Sequence, residues 1–389
     1  MTGFRAHPAA RLFGPDGDQI PLTPTPAAAG AYSERPVASA LPGAFTGSFR
    51  IGAQDAPAPI RGFETLTSGS TGTPRRIARD FGSWRASFTV NSRLFGTGPG
   101  KRIAVIGPLS QSLALYGAVE ALELGAEVHL LEGLRPDRMR RELARQAVTL
   151  LWAGPAALQL LLETDGPALP DLHWILLGGA KLDDGLRARL ATLAPAARIR
   201  EFYGAAEASF VTLTDADTPP HSVGKPYPNV EILLRNDQGH VATEGRVWVR
   251  SPYLFTGYAS DPGPAKWRDG WLGLGEIARW EGGNLVLLGR IDRMFTTAGQ
   301  NVFPEALESF MAGLPGMARV AVLPLPDERR GAVPVAVAMG DPAQEAAILK
   351  TLREEFGPLA APRHIHWRQD WPLLPSGKTN LALLRQGLK

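Results

Sequence analysis

The chain has 389 residues, 44% of them hydrophobic, with 41 basic against 38 acidic side chains and no cysteine. That length exceeds what one hydrophobic core organises, so two or more domains are expected, and a net charge of +3 is too small to point to nucleic acid or an anionic membrane as partner. Without cysteine there is no disulfide, thiolate metal site or enzyme-bound thioester, so any thiol in the chemistry arrives on a substrate.

Residues 1–60 are rich in Pro, Ala and Gly, with apolar runs no longer than Ala10 to Phe13, and read as irregular structure wrapped on the body. No apolar segment here suits a signal peptide and no uncharged run in the chain is able to span a bilayer, which makes a cytoplasmic location the expectation. The next stretch, TLTSGSTGTPRR at residues 65–76, interleaves Gly69, Gly72 and Pro74 with six small hydroxyl side chains. Glycine loses the most backbone freedom on ordering, so a cluster of it persists best where backbone approaches something closely. Amide N–H groups and hydroxyls are donors, and Arg75 and Arg76 follow, so that something is read as an anion. Taken alone, Ser/Thr/Gly runs are most often flexible loops or linkers. Apolar residues on both flanks, up to Leu66 and at Ile77, argue against a linker, and the absence of a following Lys-Ser or Lys-Thr excludes the G-x-x-x-x-G-K-[ST] phosphate loop.

From about residue 100 the pattern alternates. RIAVIGPL reads as a strand, SLALYGAVEALEL as a helix and AEVHLLEG as a strand; Pro136 starts a helix, VTLLWAG is a strand, PAALQLLLE a helix and HWILLGG a strand. The alternation continues through DDGLRARLATL into RIREFYG. Strands separated by helices of this length predict a largely parallel sheet covered on both faces. The glycines of GTGPG at 96–100 precede a strand rather than follow one, so they are not a dinucleotide fingerprint. After residue 220 the character turns to β, with hairpins around Asn-Asp-Gln-Gly and Gly-Gly turns. Beyond Asp292 an α+β unit of about a hundred residues follows: helix PEALESFMAGL, strands RVAVLPLP and AVPVAVAM, helix EAAILKTLREEFG and a last strand around HIHWRQ. His364 and His366 are two apart there, but no third metal ligand is apparent.

Four segments, in order, resemble the motifs of the adenylate-forming superfamily of acyl-CoA synthetases, peptide-synthetase adenylation domains and luciferases. TSGSTGTPRR (67–76) resembles the phosphate loop [ST]-S-G-[ST]-T-G-x-P-K, and EFYGAAE (201–207) the Y-G-x-T-E segment. GWLGLGEIARW with GRID (270–292) is similar to G-W-x-x-T-G-D followed by the G-R-x-D hinge, and LPSGKTN (374–380) to the segment carrying a catalytic lysine. The resemblance covers roughly residues 60 to 389 and implies an α/β fold. A large N-terminal AMP-binding domain (1–291), of mostly parallel sheets flanked by helices plus a β-rich subdomain, would precede a small mobile α+β lid (292–389). The first sixty residues look too short to supply the N-terminal subdomain common in relatives.

By that resemblance the chain activates a small-molecule carboxylic acid with ATP and Mg²⁺, forming an acyl-adenylate and pyrophosphate, and passes the acyl group to the thiol of CoA or of a carrier-protein phosphopantetheine. The resemblance assigns Thr67, Ser68, Gly69, Ser70, Thr71, Gly72 and Arg75 to the phosphates, with Thr71 also catalytic. It gives Mg²⁺ to Glu207 and the reacting carboxylate and α-phosphate to Lys378, one of seven lysines among the 41 basic residues. Gly178, Gly179 and Ala180 resemble the adenine-contacting turn, Phe202, Tyr203, Gly204, Ala205 and Ala206 flank the nucleotide with Tyr203 as stacking platform, and Glu276 and Arg290 face the ribose. Gln111, Ser112, Gly179 and Ala205 fall at the acyl pocket, Asp292 at the hinge, and Ala298, Gly299 and Gln300 in the thiol-acceptor loop. PLSQS (108–112) lacks the carboxylate that binds an α-ammonium, which favours an aliphatic or aromatic acid without an α-amino group. Departures from the pattern are Ala206 for threonine, Arg75 for lysine, Glu276 for aspartate and Gln111 for histidine. With the short N-terminus, Ala206 motivates an alternative: a catalytically impaired nucleotide-binding relative acting as partner or regulator.

Overall fold

The structure is a computed structural model that describes residues 3–23, 38–50, 61–67, 75–179, 181–182, 184–259, 265–374 and 379–388. By internal contacts the chain divides into two compact units, one of residues 1–232, 248–273 and 283–285, the other of 233–247, 274–282 and 286–389. In chain order the first unit holds β1 (Arg11–Phe13), β2 (Gln19–Ile20), β3 (Phe49–Arg50), β4 (Phe63–Leu66), β5 (Arg76–Arg79) and helix α1 (Phe81–Phe95). The alternating region follows: β6 (Arg102–Val105), α2 (Ser112–Leu124), β7 (Glu127–Leu130), α3 (Pro136–Arg145), β8 (Leu150–Ala153), α4 (Pro155–Leu162), β9 (Trp174–Gly178), α5 (Asp184–Leu193) and β10 (Arg198–Ala205). Then come β11 (Ser209–Leu213), β12 (Lys225–Pro226), β13 (Glu231–Arg235), β14 (Glu244–Arg250), β15 (Gly257–Tyr258), β16 (Lys266–Arg268), β17 (Trp271–Glu281) and β18 (Asn284–Arg290), with most of β13, β14, β17 and β18 in the second unit.

These elements form where local chemistry favours them. Asp80 caps α1 by accepting from the Gly82 N–H at 2.6 Å. Proline at the first position starts α3 and α4, where its missing N–H costs nothing. The main sheet runs β12-β11-β10-β9-β8-β6-β7-β1-β2. Its six middle strands, β10 to β1, are parallel, and antiparallel strands close both edges. The largely parallel sheet expected from the alternation is therefore present. On β8, alternation sends Leu151 into the core that α3, α4 and α5 share, while Trp152 lies against Gly117 of α2, so the sheet is covered on both faces. From β6 the chain steps to β7 on one side and then returns past β6 to β8, β9 and β10 on the other. The crevice at the carboxyl ends of β6 and β8 is thus a topological switch point, where open α/β sheets bind ligands.

The expectation of irregular structure for residues 1–60 needs correction. β1 pairs parallel with β7 and β2 pairs with β1, extending the main sheet, and Phe4 is buried among Phe49, Phe63, Phe81, Trp84 and Phe88. A second sheet, β15-β5-β4-β3, has β4 and β5 as an antiparallel hairpin around residues 67–75. The hairpins expected after residue 220 appear as β13 with β14 and as β17 with β18.

The second unit adds β19 (Phe295–Thr297), β20 (Gln300–Val302), α6 (Pro304–Ala312), β21 (Met317–Asp327), β22 (Gly331–Gly340), α7 (Glu345–Ala360), β23 (Ile365–Trp367) and α8 (Leu381–Gln386). Its sheet runs β20-β19-β22-β21 with β23 parallel to β22. Helices α6 and α7 bury Leu307, Met311, Ile348 and Leu352 against Val322 and Ala336, which gives this unit its own core. Among the described residues no helix is long and apolar enough to cross a membrane.

Candidate functional site

The β4–β5 hairpin fixes the ends of the glycine-rich loop. The Thr67 N–H donates to Arg75 O at 2.9 Å, and Thr67 Oγ1 accepts from the Arg75 N–H at 2.9 Å. Ser68, Gly69, Ser70, Thr71 and Gly72 lie outside the described residues, as do Ala180 and Lys378. Thr67 and Arg75 are therefore the two described members of the expected phosphate loop, joined to each other at its neck. The Arg75 guanidinium sits over the Tyr258 ring, 5.6 Å from the centroid.

Glu207 stands in the turn between β10 and β11. The turn is tight: a side chain at Gly204 would bring Cβ within 1.9 Å of Ser209 O, so only glycine permits this approach. The Phe255 N–H donates to Glu207 O at 2.8 Å, and the Tyr258 hydroxyl donates to Glu207 Oε1 at 2.9 Å. Burial, then the nearby Glu207 charge, pushes the Tyr258 phenol above its ordinary range, so it remains a donor. Under the turn lies Arg79, fully buried, whose Nη2 donates to Ala206 O at 2.5 Å and whose Nη1 donates to Tyr253 O at 2.8 Å and Ser83 Oγ at 3.3 Å. Burial lowers the Arg79 pKa to about 9, which still leaves it charged at neutral pH, with Glu207 as the opposing charge. Ala206, which lacks the family's hydroxyl, thus carries a structural contact through its carbonyl.

Sequence reasoning missed both Arg79 and Tyr258. Their partners are 127, 174 and 51 positions away, and the only local signal was a Gly-Tyr pair closing the apolar PYLF run.

Gln111 and Ser112 begin α2 beside this corner. Leu66 bridges Gln111 in parallel, and Thr65 Oγ1 lies 3.2 Å from Ser112 Oγ, so the start of α2 is held against β4. Gly178 and Gly179 end β9, next to β10; Phe202 on β10 covers Gly178 and packs edge-on against Trp152 and Phe210. Tyr203 is half-buried at an irregularity in the β10–β11 pairing, directly before Gly204 and Ala205.

The remaining expected residues belong to the second unit. Arg290 makes a two-pronged pair with Asp292, Nε to Oδ1 at 2.9 Å and Nη2 to Oδ2 at 3.1 Å, and donates through Nη1 to Glu276 at 3.2 Å. Burial works to raise the Asp292 pKa, but the Arg290 pair outweighs it and holds this carboxyl below its usual range. Ala298 (φ 48°) and Gly299 (φ 86°) form a two-residue hairpin turn between Thr297 and Gln300, with both central residues at positive φ as such turns require. His364 and His366 point ring nitrogens at each other, 2.9 Å apart, and among the described residues no group of three metal-ligating side chains occurs.

The family model described as AMP-binding enzyme matches residues 63–259, and the one for the AMP-binding enzyme C-terminal domain matches residues 306–378. The uncharacterized acyl-CoA ligase YhfT of Bacillus subtilis (strain 168) is 31% identical over 332 residues, covering 83% of this chain and 68% of YhfT. Among solved structures, the amide bond synthetase McbA from Marinactinospora thermotolerans superposes with a TM-score of 0.75 at 26% identity, over 87% of this chain and 73% of McbA. ATP-bound MatB from Rhodopseudomonas palustris shares the fold with a TM-score of 0.75 at 21% identity, over 97% of this chain and 74% of MatB.

Proposed function

The chain belongs to the AMP-binding enzymes, the adenylate-forming acid-thiol ligases, and from that premise we propose that it activates a carboxylic acid with ATP and passes the acyl group to a thiol. The observation that carries this reading is the meeting of Arg75 and Glu207 at one tyrosine, which puts a cation from the phosphate hairpin and a carboxylate suited to a metal in the same corner. Magnesium fits such a corner, because it is commonly held by one or two carboxylates together with substrate phosphates; Glu207 would hold it, and when bound it would neutralise charge on those phosphates. Glu207 offers one carboxylate oxygen for this, since Oε2 receives no hydrogen bond among the described residues.

The acid's oxygen attacks the α-phosphorus of ATP and the bond to the β-phosphate breaks, releasing pyrophosphate. Both reactants are anions, so the work of the protein is to hold them in line and offset their repulsion. Backbone N–H groups and hydroxyls of residues 67–72 and the Arg75 guanidinium grip the β- and γ-phosphates, and Lys378 places an ammonium on the acid and the α-phosphate. Tyr203 and the 178–180 turn take the adenine; Glu276 and Arg290 take the ribose. In the second step the acceptor thiol attacks the acyl carbonyl, the bond to AMP breaks, and Asp292 is the hinge about which the region from 292 onward reorients as a lid. Residues 298–300 line the thiol's approach. Ser112 and Gln111 carry no charge that would hold an α-ammonium, which supports an acid without one.

Pyrophosphate release over a panel of aliphatic and aromatic acids tests the reading. We expect release that depends on one class of acid, forms AMP rather than ADP, and falls at least about a hundredfold in Lys378→Ala. ATP binding without turnover on any acid would favour the impaired relative instead. The acceptor panel should include CoA, a phosphopantetheinylated carrier and, because McbA is named an amide bond synthetase, an amine.

A further inference from the structure

Resting on that reading, we propose that Tyr258 is a positioning residue that orients Glu207 for the metal and at the same time seats Arg75 for the triphosphate. Three observations converge on it. The segment Phe255–Ala259 lies along β5: the Thr256 N–H donates to Ala78 O at 2.9 Å, Tyr258 stands opposite Ile77, and the Ala259 N–H donates to Arg76 O at 3.1 Å. The same segment holds the Glu207 turn, since the Phe255 N–H donates to Glu207 O at 2.8 Å. Finally, one tyrosine serves both groups: its hydroxyl donates to Glu207 Oε1 at 2.9 Å, and Arg75 lies over its ring and within hydrogen-bond reach of the same hydroxyl.

A carboxylate on an unrestrained stem samples several rotamers, and ordering it costs part of the metal's binding energy. A donor fixed on one oxygen removes that freedom and turns the other oxygen outward, which is how outer partners of metal ligands act. Because the segment carrying Tyr258 is paired with β5 as well as bonded to the Glu207 turn, it also ties the carboxylate to the strand that leaves the phosphate loop. Metal and triphosphate would therefore be registered against one side chain.

Direct binding tests this apart from turnover. Mn²⁺ is titrated by electron paramagnetic resonance into the full chain with ATP, and ATP is titrated by calorimetry with and without Mg²⁺, for wild type, Tyr258→Phe, Tyr258→Leu and Glu207→Gln. In Tyr258→Phe we expect metal affinity in the ternary complex to fall about tenfold, with metal-free ATP binding falling by much less because Arg75 keeps the ring; in Tyr258→Leu metal-free ATP binding falls strongly as well, because the ring under Arg75 is gone. Unchanged or tighter Mn²⁺ binding in Tyr258→Phe overturns the proposal, as does an equal loss with and without metal, the mark of a merely structural role. Those results leave acid activation standing if wild type binds ATP and Glu207→Gln loses the metal. A wild-type chain that ignores ATP with or without metal sinks the functional reading, and this inference with it.

Discussion

Arg79 and Glu120 are both fully buried ionisable groups of the first unit, and burial pushes each toward its neutral form, yet only the arginine stays charged at neutral pH. Around Arg79 the hydrogen-bond partners are acceptors, Ala206 O, Tyr253 O and Ser83 Oγ, with the Glu207 carboxylate near enough to act on its charge, while Nε finds no partner among the described residues. Around Glu120, on α2, the neighbours are donors and hydroxyls. Asn91 Nδ2 donates to Glu120 Oε1 at 2.7 Å and to the Tyr116 oxygen at 3.1 Å, the Tyr116 hydroxyl is 3.0 Å from Oε1, and Oε2 has no partner among the described residues. No cation is among these contacts. Burial lifts the Glu120 pKa to about 8 despite the Asn91 and Tyr116 bonds. The lesson is that burial pushes both groups toward neutrality, and the guanidinium stays charged because it starts far higher and has a carboxylate nearby, whereas the carboxyl has no cation among its contacts.

The proton count on Glu120 agrees. Ser87 Oγ contacts Trp84 O at 2.7 Å and the Tyr116 hydroxyl at 2.7 Å, and Tyr116 contacts Glu120 at 3.0 Å. Those three contacts draw on only two hydroxyl protons. A proton on the Glu120 carboxyl is the third. The region under the candidate site is thus built on a fixed charge, and the region behind α2 on a neutral network.

The largest effect that tests this contrast is Arg79→Ala. It strips Ala206 O of its donor, leaves Tyr253 O with the Ser209 hydroxyl at 3.3 Å and empties the space of a buried side chain, so we expect unfolding stability to fall by roughly 2–6 kcal/mol in urea titrations. ATP affinity should weaken too, since the Glu207 turn loses its floor. A loss below about 1 kcal/mol would mean that the carbonyls find water, and the comparison with Glu120 would lose its force.

How much of this was readable in advance follows from distance along the chain. α2 was legible because Ser112–Leu124 is a single uninterrupted run ending at a glycine, and β8 and β9 because they are short apolar blocks between turn signals. The Glu207 position was legible only through motif resemblance, since nothing local marks its side chain, whereas Arg75 was marked locally by the glycine and hydroxyl run that it follows. α1 was absent from the elements expected above, yet it carries an Asp cap and apolar residues at Trp84, Phe88 and Phe95; serine, threonine and asparagine between them obscure the period. β1 was illegible for another reason: three residues with one buried side chain, Leu12, carry no detectable alternation, and the strand exists because β7 offers an edge. Arg79 and Tyr258 belong to the same class, as their roles arise from contacts that only the fold creates.

An intermediate effect separates the network from simple packing. Tyr227 donates its hydroxyl to Asn91 Oδ1 at 2.6 Å, and its phenol is pushed up strongly by burial, so it is a donor at any accessible pH. Tyr227→Phe keeps the ring and its stack on Phe210 but leaves Asn91 Oδ1 without a donor. We expect a loss of about 1–3 kcal/mol in the same titrations, with the metal-dependent part of ATP binding untouched. A variant that weakens metal binding as Arg79→Ala does would join the two regions into one network and erase the contrast.

The smallest effect at acid pH, and the sharpest in sign, is Glu120→Gln. The amide resembles the neutral acid in shape, so below about pH 4.5, where the carboxyl keeps its proton folded and unfolded, stability should shift by less than about 1 kcal/mol. The pH dependence should differ more. In the unfolded chain this carboxyl titrates near its ordinary 4.5, and in the folded chain near about 8. Between those values the folded state keeps a proton that the unfolded state has released, so the stability contributed by Glu120 is complete below the lower value and declines as pH rises through the upper one. Glutamine cannot ionise and removes that slope. Urea unfolding of both chains across this window should show wild type losing ground to the variant as pH increases; a constant difference would mean that Glu120 has the same charge folded and unfolded, and that the third proton of the network comes from elsewhere.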